Sequence, residues 1–274
     1  MKPFLRWAGG KNWLVKHIDS IVDLNHFNSY HELFLGGGSI FFHLNHTNQV
    51  FLSDLNGALI NTYTQVRDNV EDVINYLYTY TNSEEFYYQI RPIQFDDPTE
   101  QAAQFIYLNQ TSFNGIYRVN LNGIYNVPYG RRTKDFIQAD LLREASIKLQ
   151  GVNLEAGPFY DFSNNIQEGD LVFLDPPYTI THNNNGFIKY NEHLFSEEDQ
   201  RGLSKFIQQI IEVGAYYILT NAAHHDIQTI FHHNPPITLS RASLIGGKQA
   251  NRGKYDEFLF TNIETEFITE NRSK

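Results

Sequence analysis

This chain takes its fold from the stretch Leu171-Val-Phe-Leu-Asp175-Pro176-Pro177-Tyr178. Four consecutive apolar residues, one of them β-branched and one aromatic, are typical of a strand buried on both faces. Two prolines then end the strand, because proline fixes φ and has no backbone N–H to donate to a sheet. The stretch therefore predicts a buried strand that runs into a rigid, polar turn.

The turn offers hydrogen-bond acceptors beside an aromatic ring. The prolines contribute carbonyl oxygens but no backbone donors, Asp175 adds a carboxylate, and Tyr178 adds a flat aromatic face. Such a site suits a planar ring that carries an exocyclic amine, because both amine hydrogens can be donated to the acceptors. The lone pair of the amine then points elsewhere, towards an electrophile.

Composition limits the class of protein. At 274 residues and 41% hydrophobic content, the chain can form one large domain or a core domain with a substantial insertion. It has no cysteine, which excludes disulfides, thiolate catalysis and cysteine zinc sites. The histidine pairs at 224–225 and 232–233 lack a carboxylate at ligand spacing, so we expect no metal. No apolar run has the length of a membrane span and the first residues lack a signal-peptide core, so we expect a cytoplasmic protein with no membrane partner.

The charge distribution leaves a nucleic-acid partner open. A formal net charge of −10 argues mildly against one, but binding depends on where the basic residues lie. One basic cluster comprises Arg118, Arg131, Arg132 and Lys134, and a second lies within 248–254.

A strand, a glycine turn and a helix follow one another near the N-terminus. A helix is predicted over 12–24, and residues 30–34 are typical of a short strand that runs into Gly36-Gly37-Gly38. Glycines in this place let a ligand approach the backbone closely. The next strand, 49–53, ends at Asp54, a carboxylate well placed for the hydroxyls of a ribose.

Residues 55–150 differ in character from the α/β pattern on either side. Up to residue 110 the apolar spacing is mostly helical, and a helix is again predicted over 137–150. Between them Asn122-Gly123 joins arms rich in Ile, Tyr and Val, a strong β-hairpin signal. The α/β pattern then resumes, with strands near 152–154, 171–174, 215–219, 237–239 and 257–260. A helix is predicted between Ser196 and Gly214, and loops over 179–195 and 246–254.

These segments, in this order, resemble the Dam-type DNA adenine-N6 methyltransferases over residues 4–260. The motifs that carry the resemblance are Phe4-Leu-Arg6-Trp7-Ala-Gly-Gly-Lys11, Glu32-Leu-Phe34-Leu-Gly36-Gly-Gly38, Asp54-Leu-Asn56, Tyr107-Leu-Asn109, Phe113-Asn114-Gly115 with Arg118, Asn126-Val-Pro128-Tyr-Gly130, Asp161-Phe162 and Asp175-Pro-Pro-Tyr178. The glycine motif, the recognition region and the catalytic turn follow one another as they do in that family.

The resemblance implies S-adenosylmethionine as the cofactor. It assigns Asp54 to the ribose, and Asp161 with the backbone of Phe162 to the cofactor adenine. The full set of implied cofactor contacts is Trp7, Lys11, Glu32, Phe34, Gly36, Gly38, Asp54, Asp161, Phe162 and Asp175.

The resemblance also implies double-stranded DNA as the substrate, with the target adenine flipped out of the helix. Asp175 and the Pro176 carbonyl would hold the N6 amine, and Tyr178 would stack on the adenine, which makes these three the catalytic residues. The implied DNA contacts are Arg6, Phe113, Asn114, Ile116, Arg118, Asn126, Pro128, Arg131 and Arg132.

Within that set, Arg118 is the expected reader of guanine, and Phe113 is expected to enter the base stack. Asn114, Ile116 and Pro128 would line the central base pairs. Arg6 would touch the outer base pair. The run Arg131-Arg132-Thr-Lys134 is interpreted separately, as either phosphate-contacting or merely solvated. The family frequently has tyrosine at the position of Phe113 and lysine at that of Arg6. The pattern is otherwise close to that of the GATC readers, so GATC is the predicted site. These two departures leave a related palindrome such as GATATC as an alternative.

The predicted fold is α/β, a Rossmann-like S-adenosylmethionine-dependent methyltransferase fold. It has a mixed, mostly parallel sheet flanked by helices, with an inserted helical and β-hairpin DNA-recognition domain. Residues 1–54 and 151–262 would form the catalytic domain, 55–150 the recognition domain with a hairpin at 116–128, and 263–274 a tail. Members of the family commonly act as monomers, so a monomer is expected.

Two other functions stay open at this stage. One is an amino-methyltransferase that acts on cytosine N4 or on RNA, although cytosine N4 enzymes tend to carry serine at the position of Asp175. The other is a DNA-binding relative that has lost catalysis, against which the intact Asp175-Pro-Pro-Tyr178 motif argues.

Overall fold

A computed structural model describes residues 1–11, 13–46, 48–120, 122–178, 195–242 and 254–263. The strands are β1 Ser29–Glu32, β2 Gln49–Asp54, β3 Asn153–Ala156, β4 Leu171–Leu174, β5 Tyr216–Ala222, β6 Ile237–Ala242 and β7 Lys254–Thr261. The helices are α1 Val15–Ile18, α2 Ser39–His43, α3 Gly57–Asp68, α4 Val70–Tyr78, α5 Glu84–Ile90, α6 Pro98–Thr111, α7 Ala139–Leu149, α8 Glu197–Glu212 and α9 His225–Ile230. The predicted loops at 179–195 and 246–254 and the predicted tail lie almost wholly outside the described residues.

The strands form a seven-stranded sheet in the order β3-β2-β1-β4-β5-β7-β6. β4 pairs in parallel with β1 and β5, whereas β7 is antiparallel to β5 and β6. Every residue of β4 is buried, as expected for a strand with a neighbour at each edge in a sheet covered on its faces. The predicted mixed, mostly parallel α/β sheet with flanking helices is confirmed.

The predicted helical region between residues 55 and 110 is also confirmed. α3, α5 and α6 follow Asn56, Ser83 and Asp97, and each of these side chains accepts a hydrogen bond from a backbone N–H of the first turn. The helix predicted over 137–150 is α7. The helix predicted after Ser196 is α8, which starts with a reciprocal capping box between Ser196 and Asp199.

The helix predicted over 12–24 is wrong in extent. Among the described residues 13–24, the helical segments are α1 and the first residue of a 3₁₀ turn, Leu24–His26. The Ser20 hydroxyl donates to the His17 carbonyl at 2.6 Å, and the Asp23 carboxylate accepts from the Asn25 N–H at 3.1 Å. These short polar side chains bond the local backbone in place of a continuing helix.

The chain divides into two compact units. The first unit comprises Met1–Lys16, Leu35–Asn45 and Leu52–Gly157, and the second comprises His17–Phe34, His46–Phe51 and Pro158–Lys274. The division of the chain into catalytic and recognition domains at residues 54, 150 and 262 stays a prediction.

A buried hydrogen bond between two side chains joins β1 to the start of β4 in the second unit. His31 is fully buried, and its Nε2 lies 3.0 Å from Oδ2 of Asp170, whose side chain is 2% exposed. Burial raises the pKa of Asp170, but hydrogen bonds from His31 and from the Gln167 N–H outweigh burial, and the pKa is lowered. The ionised form of Asp170 is therefore favoured by the fold.

Replacing Asp170 with asparagine is expected to lower the free energy of unfolding by about 3 kcal/mol at neutral pH, because it removes the buried carboxylate that accepts hydrogen bonds from His31 and from the Gln167 N–H. Since the pKa of Asp170 is lowered in the fold, its contribution is complete above about pH 4 and is lost as the pH falls through the folded-state value. Urea unfolding from about pH 7 to pH 3 measures both effects.

Asp68→Asn is the matched control, because this carboxylate also has a lowered pKa, from its hydrogen bond with Arg67, but lies at the surface. The Asp68→Asn substitution should lower the free energy of unfolding by less than about 1 kcal/mol. If the stability difference between wild type and Asp170→Asn did not shrink in acid, the conclusion that the fold favours ionised Asp170 would be wrong.

Candidate active site

The glycine turn in the first unit is built around Trp7. Gly36 has a φ of 48° and Gly38 a φ of 64°, in the left-handed region that glycine occupies without strain. A Cβ at Gly36 would lie 2.7 Å from Nε1 of Trp7, and a Cβ at Gly37 would lie 2.8 Å from its Cβ. Glycine at these positions therefore lets the tryptophan pack directly on the turn.

The Asp54 carboxylate is oriented by two backbone donors of the same unit. Its Oδ2 accepts from the Gly36 N–H and its Oδ1 from the Asn56 N–H, both at 2.9 Å. Each carboxylate oxygen has a further lone pair for a hydroxyl donor. Burial raises the pKa of Asp54, and the two N–H groups oppose that shift.

One further side chain supports the glycine turn, and another lies in the N-terminal segment that carries Trp7. Tyr63 on α3 is fully buried and donates its hydroxyl to the Gly36 carbonyl at 3.1 Å. Lys11 is buried, and its Nζ donates to the Gly9 carbonyl at 3.2 Å. Lys11 was expected from the sequence, but Tyr63 was not.

Glu32 is the last residue of β1, in the second unit. It is 3% exposed, and its Oε2 accepts the Tyr30 hydroxyl at 2.9 Å. Burial, followed by the charge of Glu32, raises the pKa of Tyr30 well above its ordinary value. Tyr30 therefore stays a donor and holds the Glu32 carboxylate in place.

The remaining predicted cofactor residues of the second unit lie on an aromatic cluster. The Phe34 and Phe159 rings are 5.6 Å apart between centroids. Phe159 begins a 3₁₀ turn, Phe159–Asn165, in which Phe162 is buried and Asp161 is exposed. Asp161 thus presents its carboxylate to solvent from a turn that is anchored in the core.

The Asp175–Tyr178 turn comes directly after β4 in the second unit, and its side chains bond to two other strands. Thr220 on β5 donates its hydroxyl to Oδ1 of Asp175 at 2.8 Å. Tyr178 donates its hydroxyl to Oε2 of Glu257 on β7 at 2.6 Å. Both partners are buried, so the sheet holds the carboxylate and the phenol ring in place.

The environment of Tyr178 keeps its phenol protonated. Burial, followed by the charges of Asp175 and Glu257, raises the pKa of Tyr178 well above its ordinary value. The ring therefore stays neutral and its hydroxyl stays a donor at neutral pH. On the proline side of the turn, Nε2 of Gln200 reaches the Pro177 carbonyl at 3.5 Å, while Pro176 is buried.

Sequence reasoning missed Thr220 and Glu257. Thr220 is 45 residues from Asp175, and Glu257 is 79 residues from Tyr178, so no local motif links the pairs. They meet because β5 pairs with β4 on one side and with β7 on the other. The local signal that could have pointed to Thr220 is the pair of polar residues, Thr220 and Asn221, at the end of the apolar run of β5.

The predicted hairpin is present in the first unit. Val119 and Tyr125 form an antiparallel bridge, the Asn126 N–H donates to the Arg118 carbonyl at 3.0 Å, and Gly123 has a φ of 74°. A turn with positive φ at its glycine is what the Asn-Gly signal predicts.

Arg118 is exposed on this hairpin and is oriented by Asn126. Its Nε donates to Oδ1 of Asn126 at 2.7 Å, and its Nη2 to the Asn126 carbonyl at 3.4 Å. Phe113 is 52% exposed, so its ring is accessible from solvent. The other predicted base-contacting residues are exposed or partly exposed, namely Asn114, Ile116 and Pro128.

Arg6 is engaged by the protein itself. Its Nη1 donates to the carbonyls of Ser112 at 3.2 Å and Gln110 at 3.5 Å. A Cβ at Gly115 would lie 2.5 Å from the Arg6 Cβ. Burial, followed by the charge of Arg132, lowers the pKa of Arg6. Arg6 therefore braces the segment that leads into the hairpin, a role that the sequence did not predict.

Arg131 and Arg132 differ in their contacts. Arg131 is exposed and pairs with Glu84 at 3.1 Å, whereas Nη1 of Arg132 lies 3.4 Å from the Gln110 carbonyl. Exposed ion pairs contribute little to stability, so Arg131 can exchange Glu84 for another anion at small cost.

The sheet order, the positive-φ glycine turn after β1 and the acceptor-rich turn after β4 are consistent with an S-adenosylmethionine-dependent methyltransferase fold. The sequence profile of the D12 class N6 adenine-specific DNA methyltransferases matches residues 7–242. The chain belongs to this family, and it is an adenine-specific DNA methyltransferase.

Relatives of similar length support the assignment. A type II methyltransferase of Lactococcus lactis subsp. cremoris, M1.LlaDCHI, is 32% identical over 96% of this chain and 95% of its own. The type II methyltransferase M.MjaIII of Methanocaldococcus jannaschii is 32% identical over 82% of this chain and 86% of its own. The DNA adenine methylase of Escherichia coli K12 is 30% identical over 80% of each chain.

In the part of the chain that the structure describes, none of the helices is long and apolar enough to cross a membrane. Among the same residues, no group of three or more His, Asp or Glu side chains could hold a metal ion.

Proposed function

We propose that this enzyme transfers the methyl group of S-adenosylmethionine to N6 of an adenine that is flipped out of duplex DNA, within the sequence GATC. The observation that carries the proposal is the Asp175–Tyr178 turn, whose carboxylate and ring are held by Thr220 and Glu257. In this proposal residues 55–150 form the target-recognition domain.

The residues of the first unit fit the proposed cofactor. The glycines of the Gly36–Gly38 turn leave its backbone bare except where Trp7 packs on it, and Asp54 has free lone pairs on an oriented carboxylate. Trp7, which lies against this turn, would contact the cofactor there. The other proposed cofactor contacts are Lys11, Glu32, Phe34, Asp161 and Phe162, with Asp175 shared between the cofactor and the base.

When bound, the cofactor supplies a methyl group activated by a sulfonium centre. The chain itself positions the target amine. Asp175 and the Pro176 carbonyl accept its two hydrogens, which leaves the nitrogen lone pair directed away from them, and Tyr178 stacks on the base. Positioning of this kind can account for most of a rate enhancement, and no covalent intermediate is required.

Sequence reading is assigned to the hairpin. Arg118, held by Asn126, would donate to O6 and N7 of guanine in the major groove. The exposed Phe113 would fill the space that the flipped adenine leaves, and Asn114, Ile116 and Pro128 would line the central base pairs. Arg131 and Arg132 would contact phosphates, and Arg6 would reach the outer base pair with guanidinium N–H groups other than those on Nη1.

The proposal is tested with purified protein and methyl-labelled S-adenosylmethionine. The substrates are a GATC duplex, a GATATC duplex, a scrambled duplex and an RNA. Label on adenine N6 of the GATC duplex alone is expected. Label on the GATATC duplex would reassign the site, label on cytosine or RNA would reassign the substrate, and DNA binding without transfer would indicate a silent relative.

Gly36→Ala tests the cofactor part of the proposal. The new Cβ must displace Trp7, so the affinity for S-adenosylhomocysteine should fall by about tenfold, the effect of losing roughly 1.4 kcal/mol of contact. Isothermal titration calorimetry measures this affinity.

Gly151→Ala is the matched control for Gly36→Ala. Gly151 also has a positive φ, 75°, but a Cβ there meets nothing within 4 Å. Both variants should lose about 1–2 kcal/mol of stability from the left-handed backbone, and only Gly36→Ala should lose cofactor affinity. Equal affinities in the two variants would remove the turn from the cofactor site.

A further inference from the structure

Trp7 has an aromatic partner on the side of the recognition hairpin. Its indole packs on the glycine turn, and it also stacks on the Tyr117 ring with centroids 5.7 Å apart and planes 19° from parallel. Tyr117 immediately precedes Arg118 in the chain. One aromatic contact thus separates the proposed cofactor turn from the proposed guanine reader.

Tyr117 is in turn held within the recognition region. It stacks on Phe105 of α6 at 5.1 Å and meets Tyr125 edge-on at 5.8 Å. Tyr125 is buried and bonds through its hydroxyl to Ser112 at 3.0 Å. The ring of Tyr117 therefore cannot move without disturbing either Trp7 or the base of the hairpin.

The backbone next to Trp7 is clamped to the same region. The Arg6 N–H donates to Oδ1 of Asn109 at 2.8 Å, and Nδ2 of Asn109 donates back to the Arg6 carbonyl at 2.6 Å. Asn109 is fully buried near the end of α6. Nδ2 of Asn109 also lies 3.5 Å from the carbonyl of Gly115, three residues before Arg118. Asn109 therefore links the backbone next to Trp7 to the backbone that leads into the hairpin.

We propose that Tyr117 is a positioning residue that couples occupancy of the glycine turn to the DNA-binding arrangement of the hairpin. A ligand in the turn fixes the Trp7 indole, the indole fixes the Tyr117 ring, and the ring fixes the backbone that presents Arg118. By thermodynamic linkage, DNA on the hairpin must then raise the affinity of the turn for its ligand by the same factor. This inference rests on the proposed function.

The test measures the affinity of a GATC duplex by fluorescence anisotropy, with and without sinefungin, a cofactor analogue that has no methyl group to transfer. In the wild type, sinefungin should raise the DNA affinity by about fivefold or more. In Tyr117→Leu, the factor by which sinefungin raises the DNA affinity should be roughly threefold to tenfold smaller than in the wild type. This is the factor that corresponds to the loss of one aromatic pair. Tyr117→Phe keeps the ring and should retain the wild-type gain.

Tyr88→Leu controls for the general loss of an aromatic ring, because Tyr88 lies in the same unit, is 41% exposed and is not in the stack. It should retain the wild-type gain. An equal gain in wild type and Tyr117→Leu, or no gain in the wild type, would overturn the inference. Neither result would affect the proposed function, which fails only if the wild type transfers no methyl group to adenine N6.

If the Tyr117→Leu protein does not fold, a second measurement tests the same coupling without that variant. The chain has two tryptophans, so Trp13→Phe leaves Trp7 as the only indole reporter. Its emission should change when the GATC duplex is added without sinefungin, because the hairpin reaches Trp7 through Tyr117. Emission that responds to sinefungin but not to the duplex would overturn the coupling.

Discussion

Replacing Asp175 with alanine is expected to lower kcat by about a thousandfold, the upper range for the loss of one preorganised electrostatic contact. The variant loses the carboxylate that accepts a hydrogen from the target amine, so the lone pair of the amine is no longer aimed. Affinity for S-adenosylhomocysteine should remain largely unchanged, because the main proposed bonds of Asp175 are to the base. Single-turnover methylation and calorimetry measure the two quantities separately.

Thr220→Val is a milder substitution against which the effect of Asp175→Ala can be compared. It keeps the shape of the side chain but removes the hydroxyl that donates to Asp175 at 2.8 Å. The carboxylate then stays but is less well oriented, and kcat should fall by about tenfold, as for one hydrogen bond. An Asp175→Ala protein with unchanged kcat and greatly weakened cofactor affinity would show that Asp175 serves the cofactor instead of the base.

Replacing Arg118 with alanine is expected to relax sequence choice more than it lowers turnover on the best site. A bidentate contact between arginine and guanine contributes about 1–3 kcal/mol of discrimination, so the preference for guanine at one position should fall by roughly fivefold to a hundredfold. Competition between GATC and duplexes altered at the outer base pair measures this preference as a ratio of kcat/KM values.

Arg131→Ala is the matched control for Arg118. Arg131 is also exposed and charged, but it pairs with Glu84 and not with a hairpin side chain. Its loss should weaken all duplexes about equally and reduce the salt dependence of binding by about one phosphate contact. If Arg118→Ala behaved in the same way, Arg118 would be a phosphate contact.

The sequence predicts the sheet well because the decisive signals are local. An apolar run such as Leu171–Leu174 is typical of a strand inside a parallel sheet. The strand β4 comprises the same four residues, and all of them are buried. The hairpin at Asn122-Gly123 follows equally from turn chemistry. The helix over 12–24 fails because Ser20 and Asp23 bond the local backbone, a competition that apolar periodicity does not register.

The side chains that hold Asp175 and Tyr178 in place come from parts of the chain that are distant in sequence. Nothing near Asp175 or Tyr178 indicates Thr220 or Glu257, because those contacts exist only once β5 and β7 are paired. Likewise the sequence places Trp7 with the cofactor and Tyr117 within the hairpin, but only the fold stacks the two rings. Arg6 has the residue type of a DNA contact, yet its Nη1 is used by backbone carbonyls of its own unit.

The central claim is that the turn after β4 captures an adenine outside the double helix. The most direct measurement is the structure of the protein with sinefungin and a GATC duplex. We expect the target adenine to be flipped out and its N6 to lie within about 3.2 Å of the Asp175 carboxylate and of the Pro176 carbonyl. A specific complex in which that adenine stays stacked in the duplex, or binds away from Asp175, would contradict the account.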